Sequence, residues 1–324
     1  MATARSVAAP VRIPFRVAPM LATLVDDPFH QPGWVYEEKY DGFRFLAYKE
    51  GRVVTLLTRN MKDRTDEFAE VAAAIARLRA PTLVLDGEVV IFDRRGISRF
   101  QLLQRRTVGE AASPPVFVAF DCLYARGKDL RACPLTERRA TLEREVTAGK
   151  TLMLARRLAD DGFKAFEAAH ARGLEGLIAK DGRSVYAAGT RSPLWRKVKV
   201  RAEEEFVIGG FTAPGGSRTH FGALIVGAWA DGALRYAGKV GTGFTGKTLD
   251  HLMRRMKLLV RPTSPFKDAP RERGVTWVEP KLVAQIGFTE RTDDGKLRHP
   301  TFLGLRDDTC STDVRWTSAG HPKG

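Results

Sequence analysis

Three residues at strand spacing raise the question of chemistry. In the stretch 34–44, W-V-Y-E-E-K-Y-D-G-F-R, Trp34, Val35 and Tyr36 favour an extended chain and Gly42 interrupts it. Alternate residues of an extended chain share a face, so Glu37, Lys39 and Asp41 point the same way. A lysine between two carboxylates is either a surface charge ladder or a reactive amine with its helpers. Asp86 and Glu88 share a face of the apolar run 83–92, which is costly unless something cationic meets them. Lys197 and Lys199 share a face of 195–200. Taken singly, Phe120 reads as core, Glu88 and Glu175 as surface or satisfied carboxylates, and Lys197 and Lys199 as a solvated face or a phosphate clamp.

The elements that must position these residues follow from pattern. Pro32-Gly33 turns the chain into its first strand, after a segment over 1–20 expected to be loosely ordered. Residues 45–49 and 53–58, split by Glu50-Gly51, read as a hairpin. Phe68, Val71, Ala72, Ile75 and Leu78 recur at helical spacing, and Pro81 stops that helix. A strand follows over 116–123, then a helix after Leu135 with Thr136 expected as its cap. A further helix over 162–172 closes on Gly173, and short strands cover 175–180 and 195–200. With no regular βαβ rhythm, the expected fold class is α+β with mainly antiparallel sheets.

The pattern changes at the charge run 201–205, read as a hinge. Strand candidates at 206–211, 223–229, 234–240, 276–278 and 284–288 surround one helix, whose buried face carries Leu249, Leu252, Met253, Met256 and Leu259. Five short strands and a helix in about 120 residues suggest a small OB-type β-barrel. The expected domains are therefore 1–200 and 201–324.

Composition narrows the function. The chain has 324 residues, 53 basic against 38 acidic, for a net charge of +15. Such a balance suits a polyanion, with nucleic acid the first candidate, although a basic proteome or a solubility effect gives the same charge. Cys122, Cys133 and Cys310 form no C-x-x-C pair, which argues against a disulfide scaffold and a structural zinc cluster and for a reducing compartment. No apolar run approaches the ~18 residues of a membrane span, and the N-terminus lacks a signal-peptide core. A cytoplasmic, nucleoid-associated protein is expected.

One motif competes with Lys39. Gly241 to Thr248, G-T-G-F-T-G-K-T, satisfies the P-loop formula, follows a strand and precedes a helix. A P-loop fold also needs a large parallel sheet and a later apolar strand ending in a metal-binding Asp. The remaining residues contain neither, so the segment reads as a glycine-rich hairpin exit.

Taken in order, E-K-Y-D-G-F-R (38–44), T-R-N (58–60), L-D-G-E (85–88), F-D-C-L-Y (120–124), E-G-L-I-A-K (175–180) and W-R-K-V-K (195–199) resemble the nucleotidyltransferase motifs of ATP-dependent DNA ligases. The resemblance is nearest to the ligase of bacterial non-homologous end joining, where V-G-T-G-F-T (240–245), S-P-F (264–266) and L-R-H-P-T-F-L-G-L-R (297–306) also look familiar. It covers residues 17–308. The family has an adenylation (nucleotidyltransferase) domain followed by an OB-fold domain. The resemblance implies that Lys39 attacks the α-phosphorus of ATP and that Asp41 orients the amine or takes up its proton. Lys197 and Lys199 with partial burial would lower the lysine pKa and would neutralise the phosphoryl oxygens. Glu37 would contact the adenine edge, Arg44 and Glu88 the ribose region, and Phe120 would stack on the base, with Arg59 among the nucleotide-binding residues. Glu88 and Glu175 are the ligand type that Mg²⁺ or Mn²⁺ takes. Lys180, five positions after Glu175, would lie on the opposite face of any straight strand. Arg298 and Asp308, with Arg306, would orient pyrophosphate, and Thr309 stands where many relatives have lysine.

The reading is a two-domain DNA ligase that forms lysyl-AMP, moves AMP to a 5′-phosphate and lets a 3′-hydroxyl displace it. An RNA ligase or capping guanylyltransferase would share the lysine and the barrel. A non-catalytic OB-type DNA-binding module would share only the barrel and the charge. Three cysteines cannot make the four-cysteine zinc site of NAD-dependent ligases. The implied partners are nicked or broken duplex DNA and the end-binding protein Ku, with the chain itself a monomer. Only 38 residues precede Lys39, too few for a DNA-encircling helical domain. Self-adenylation and sealing make opposite demands on the C-terminal cations, so the barrel is expected to swing about 201–205.

Overall fold

The computed structural model describes residues 13–316 apart from 111–112, 201, 215–219, 271, 273, 290 and 293. They divide into two compact units. The first takes the chain up to Val90, with Pro114–Arg172 and Gly176–Val198; the second takes Ile91–Ser113, Gly173–Glu175 and the chain from Lys199 on.

Two sheets build the first unit. One has the strand order Leu21–Val25, Arg191–Lys199, Gly176–Asp181, Trp34–Glu38, Arg157–Ala159. Its register sets Glu37 opposite Ile178 and Val35 opposite Lys180, and residues opposed in an antiparallel pair share a face. Glu37, Ile178 and Lys180 therefore come to one side. The other side carries Tyr36, Leu177 and Ala179, packed with Ala165 of helix Gly162–Arg172. The second sheet runs Val53–Thr58, Phe43–Glu50, Thr82–Val90, Val116–Ala125, Lys128–Asp129, with Leu152–Leu154 parallel to Val116–Ala125. Here Arg44 stands opposite Glu88. The mixture of helices with mainly antiparallel strands is the expected α+β class.

The second unit is a six-stranded antiparallel sheet and the helix Gly246–Lys257, in keeping with an OB-type barrel. Its order is Ala233–Val240, Leu224–Ala230, Glu203–Thr212, Val275–Gly287, Val260–Arg261, with Thr301–Leu305 also on Val275–Gly287. Leu252 and Met256 of the helix enter a core with Phe206, Val226 and Ile286.

Several elements depart from the sequence pattern. Residues 17–20 are packed rather than loose: Val17 N–H donates to the Tyr48 hydroxyl and Met20 N–H to that of Tyr186. Thr136 is no cap, because Pro134 takes the N-cap position of helix Leu135–Glu145. The candidates at 276–278 and 284–288 are one strand, Val275–Gly287, with an irregularity where Ile208 pairs with Leu282 but Gly210 with Trp277. Pro280, which has no N–H for a ladder, lies in that irregular stretch and made one strand look like two. Glu203–Glu205 of the supposed hinge open a strand paired to Gln285–Gly287; Arg201 lies outside the described residues. Strand Thr301–Leu305 and helix Phe100–Thr107 were not anticipated. That helix buries Phe100, Leu103 and Gln104 within the second unit, where Gln104 Oε1 accepts the Leu305 N–H at 2.8 Å and the Arg306 guanidinium lies over the Phe100 ring.

Candidate active site

Lys39 to Gly42 connect the two sheets of the first unit, from the end of Trp34–Glu38 to the start of Phe43–Glu50. The turn is held by its main chain and by contact. Lys39 N–H donates to the Gly176 carbonyl at 3.0 Å. A Cβ on Gly42 would stand 2.2 Å from the Val89 carbonyl oxygen, and one on Gly87 would stand 2.4 Å from the Phe117 ring. The glycines of K-Y-D-G and L-D-G-E are therefore fixed by close approach of neighbouring strands. Lys39 is half-buried and Asp41 buried.

Beside this turn lies a cavity of about 130 Å³. Glu37, Lys39, Arg44, Glu88 and Phe120 line it, five of the residues singled out from sequence, and Glu38, Tyr40, Ile178, Lys180 and Trp195 complete most of the wall. Its polar groups are strongly organised. Glu37 meets two cations, Lys180 Nζ at 2.7 Å from Oε2 and Arg139 Nη1 against Oε1. The Lys180 amine also lies 4.4 Å from the Phe120 ring centre and 4.3 Å from that of Trp195. Burial pushes Lys180 well below the ordinary lysine value, against the pull of Asp121 and Asp86. Arg44 donates through Nε and Nη2 to Asp86 at 2.9 and 2.6 Å, and the Tyr186 hydroxyl donates to the same carboxylate at 2.6 Å. Burial opposes the Arg44 charge, but Asp86 overrides it and holds the guanidinium above its ordinary value. Asp86 thus has its expected cation. Burial raises the Glu38 carboxyl to about 7, with Arg156 at 3.4 Å opposing the rise.

The other expected residues lie elsewhere. Arg59 is half-buried in the turn after Val53–Thr58. Lys197 shares the strand face of Trp195, two residues on, but does not line the cavity. Lys199, Glu175, Arg298 and Asp308 group with the second unit. There the Lys199 amine donates to the Glu203 carbonyl, Arg298 is exposed, and Asp308 is buried with Arg306 at 2.8 Å. Thr309 donates its hydroxyl to Glu205 Oε1 at 2.9 Å. The P-loop lysine, Lys247, donates to the Gly109 carbonyl, and Thr245 caps the helix while donating to Glu110.

Lys180, Trp195 and Arg139 had no role read from sequence. The sequence leaves the role of Lys180 open, and strand Gly176–Asp181 begins after Glu175, so the two do not share one straight strand. Trp195 was visible only as the apolar start of a basic strand. For Arg139 the available signal was two consecutive arginines on a helix with apolar turns, one of which must be buried.

Two family models match the chain in succession. Residues 19–199 match the family described as ATP dependent DNA ligase domain, and 217–309 match the ATP dependent DNA ligase C terminal region. The multifunctional non-homologous end joining protein LigD of Pseudomonas aeruginosa is 39% identical over 310 residues, covering 93% of this chain and 37% of LigD. LigD of Mycobacterium tuberculosis is 36% identical over 304 residues, covering 92% and 39%. This chain thus spans little more than a third of these relatives. A mycobacterial DNA ligase D complexed with ATP and MES superposes with a TM-score of 0.70 at 34% identity, covering 92% of this chain and 97% of that one. The ligase domain of M. tuberculosis LigD gives 0.54 at 35% identity, covering 93% and 98%.

Proposed function

The chain belongs to the ATP-dependent DNA ligases, and we propose that Lys39 is the amine that carries AMP between ATP and a 5′-phosphate of DNA. The observation that supports this most strongly is the cavity that gathers Glu37, Lys39, Arg44, Glu88 and Phe120. In this reading the Lys39 amine attacks the α-phosphorus, an N–P bond forms, pyrophosphate leaves, and Asp41 orients the amine or receives its proton. The 5′-phosphate then takes AMP from Lys39, and a 3′-hydroxyl displaces the AMP to close the break.

The base edge gives ATP a physical preference over GTP. The carboxylate of Glu37 accepts and the amine of Lys180 donates, 2.7 Å apart on the cavity wall. Adenine offers the complement, a 6-amino donor beside the N1 acceptor. Guanine offers an O6 acceptor and an N1 donor, so both contacts would be repulsive. This edge disfavours the guanylyltransferase alternative.

Among the described residues no group of three or more His, Cys, Asp or Glu could enclose a metal. Glu88 in the cavity wall fits Mg²⁺ or Mn²⁺ bound through few carboxylates, with phosphates and waters as the other ligands. Such an ion would neutralise charge on the triphosphate.

End joining is the role we infer in the cell, with Ku as recruiter and the chain a monomer located with DNA. Support comes from the LigD relatives, which are named for that process. The activity test is incubation with α-labelled ATP and Mg²⁺ or Mn²⁺, a denaturing gel, and sealing of a nicked duplex. Absence of both adduct and sealing would defeat the reading. End joining that is unchanged when Ku from the same source is added would defeat the Ku assignment alone.

A further inference from the structure

Helix Leu135–Glu145 lines no part of the cavity, yet consecutive arginines on it reach both strands that supply the base pocket. Arg138 Nε and Nη2 donate to Asp121 at 2.8 and 2.9 Å, with both side chains fully buried. Asp121 follows Phe120 on strand Val116–Ala125. Arg138 Nη1 donates to the Cys133 and Ser184 carbonyls, which fixes the start of the helix. Arg139, about 100° further round the helix, closes on Glu37 of strand Trp34–Glu38. The two strands belong to different sheets, so no shared ladder sets Glu37 against Phe120. The paired arginines bridge that gap.

We propose that Arg139 is a positioning residue for base selection: it holds the Glu37 carboxylate where the 6-amino group of an adenine stacked on Phe120 meets an acceptor. The inference rests on the nucleotide reading of the cavity given above. A carboxylate has about four lone-pair sites. Lys180 pairs with Oε2 and Arg139 with Oε1, so a cation at each oxygen restrains the carboxylate's rotation while acceptor sites remain for a base. Without Arg139, Glu37 keeps a contact on one oxygen only and can swing toward Lys180. The other carboxylate near Arg139, Glu143 at 3.6 Å, is half exposed and would simply be hydrated. The loss therefore falls on Glu37.

The test is single-turnover adduct formation by the full chain with ATP and with purine riboside triphosphate, which keeps the ring and lacks the 6-amino group. The native protein should prefer ATP by about 10-fold or more, the scale of discrimination from a site built to hydrogen-bond one group. Arg139→Met should lose most of that preference by weakening ATP and barely altering the analogue. The same change should add little once Glu37→Gln is present. Arg139→Lys and Arg139→Gln are measured alongside, so the result does not depend on one variant folding; preference should fall more in the Gln variant than in the Lys variant. Equal slowing with both nucleotides, or full additivity with Glu37→Gln, would give Arg139 a merely structural role and overturn the proposal. A native protein that forms no adduct with either nucleotide would instead remove the nucleotide reading itself.

Discussion

Glu38 stands beside Lys39 in the cavity wall, and its carboxyl, raised to about 7 by burial, changes charge near neutral pH. A carboxyl whose folded pKa exceeds its unfolded value destabilises the fold once ionised. The cost is absent below the unfolded value of 4.5, grows between 4.5 and about 7, and is complete above that. Glu38→Gln cannot ionise, so its stability relative to the native chain should rise by about 1–3 kcal/mol across that window. Denaturant titrations at several pH values check this, and a pH-independent difference would contradict it. Arg44 has the opposite dependence on its neighbour. Arg44→Met would leave the fully buried Asp86 with the Tyr186 hydroxyl but without its guanidinium. Breaking such a pair by removing one member costs about 3–5 kcal/mol, measurable as a lowered denaturation midpoint.

At the scale of elements, the strand leading to Lys39 and those carrying Arg44, Asp86 and Glu88 were legible because β-favouring residues run between glycine, proline and turn signals. Trp34–Glu38, Phe43–Glu50 and Thr82–Val90 fall close to the positions read from sequence. What stayed hidden were contacts set by tertiary register. The helix Phe100–Thr107 is short and basic, with apolar residues only at positions 100, 102 and 103, so its pattern carries little weight alone. Arg139 looks like any surface arginine until its contact with Glu37 of another sheet is seen. The P-loop formula failed for the converse reason, since its eight residues fit locally while the antiparallel sheet around them is the wrong kind. Gln104 gives this scale its own test. Gln104→Leu removes the acceptor of the Leu305 N–H and should cost about 1–2 kcal/mol, the scale for an unsatisfied buried donor. A stability within ~0.3 kcal/mol of native, by denaturant titration, would mean the bond contributes little.

At the scale of the whole molecule, a net charge of +15 suits the DNA substrate proposed above. Binding to nicked duplex should weaken on the order of 10-fold or more from about 50 to about 200 mM salt, linear in log–log form. A salt-independent affinity would contradict a phosphate-led interface. The barrel also bears on how the chain can be divided. Phe100, Leu103 and Gln104 are buried in the second unit, so a chain ending at residue 200 should expose them and aggregate more readily than the full chain. The central claim rests on one amine. The most direct measurement is peptide mass spectrometry of the full chain after incubation with ATP and a divalent ion. The account predicts one AMP, attached at Lys39, absent in Lys39→Ala and retained in Lys247→Ala. AMP mapped to another residue, or an adduct lost in Lys247→Ala while Lys39→Ala still forms it, would contradict the account.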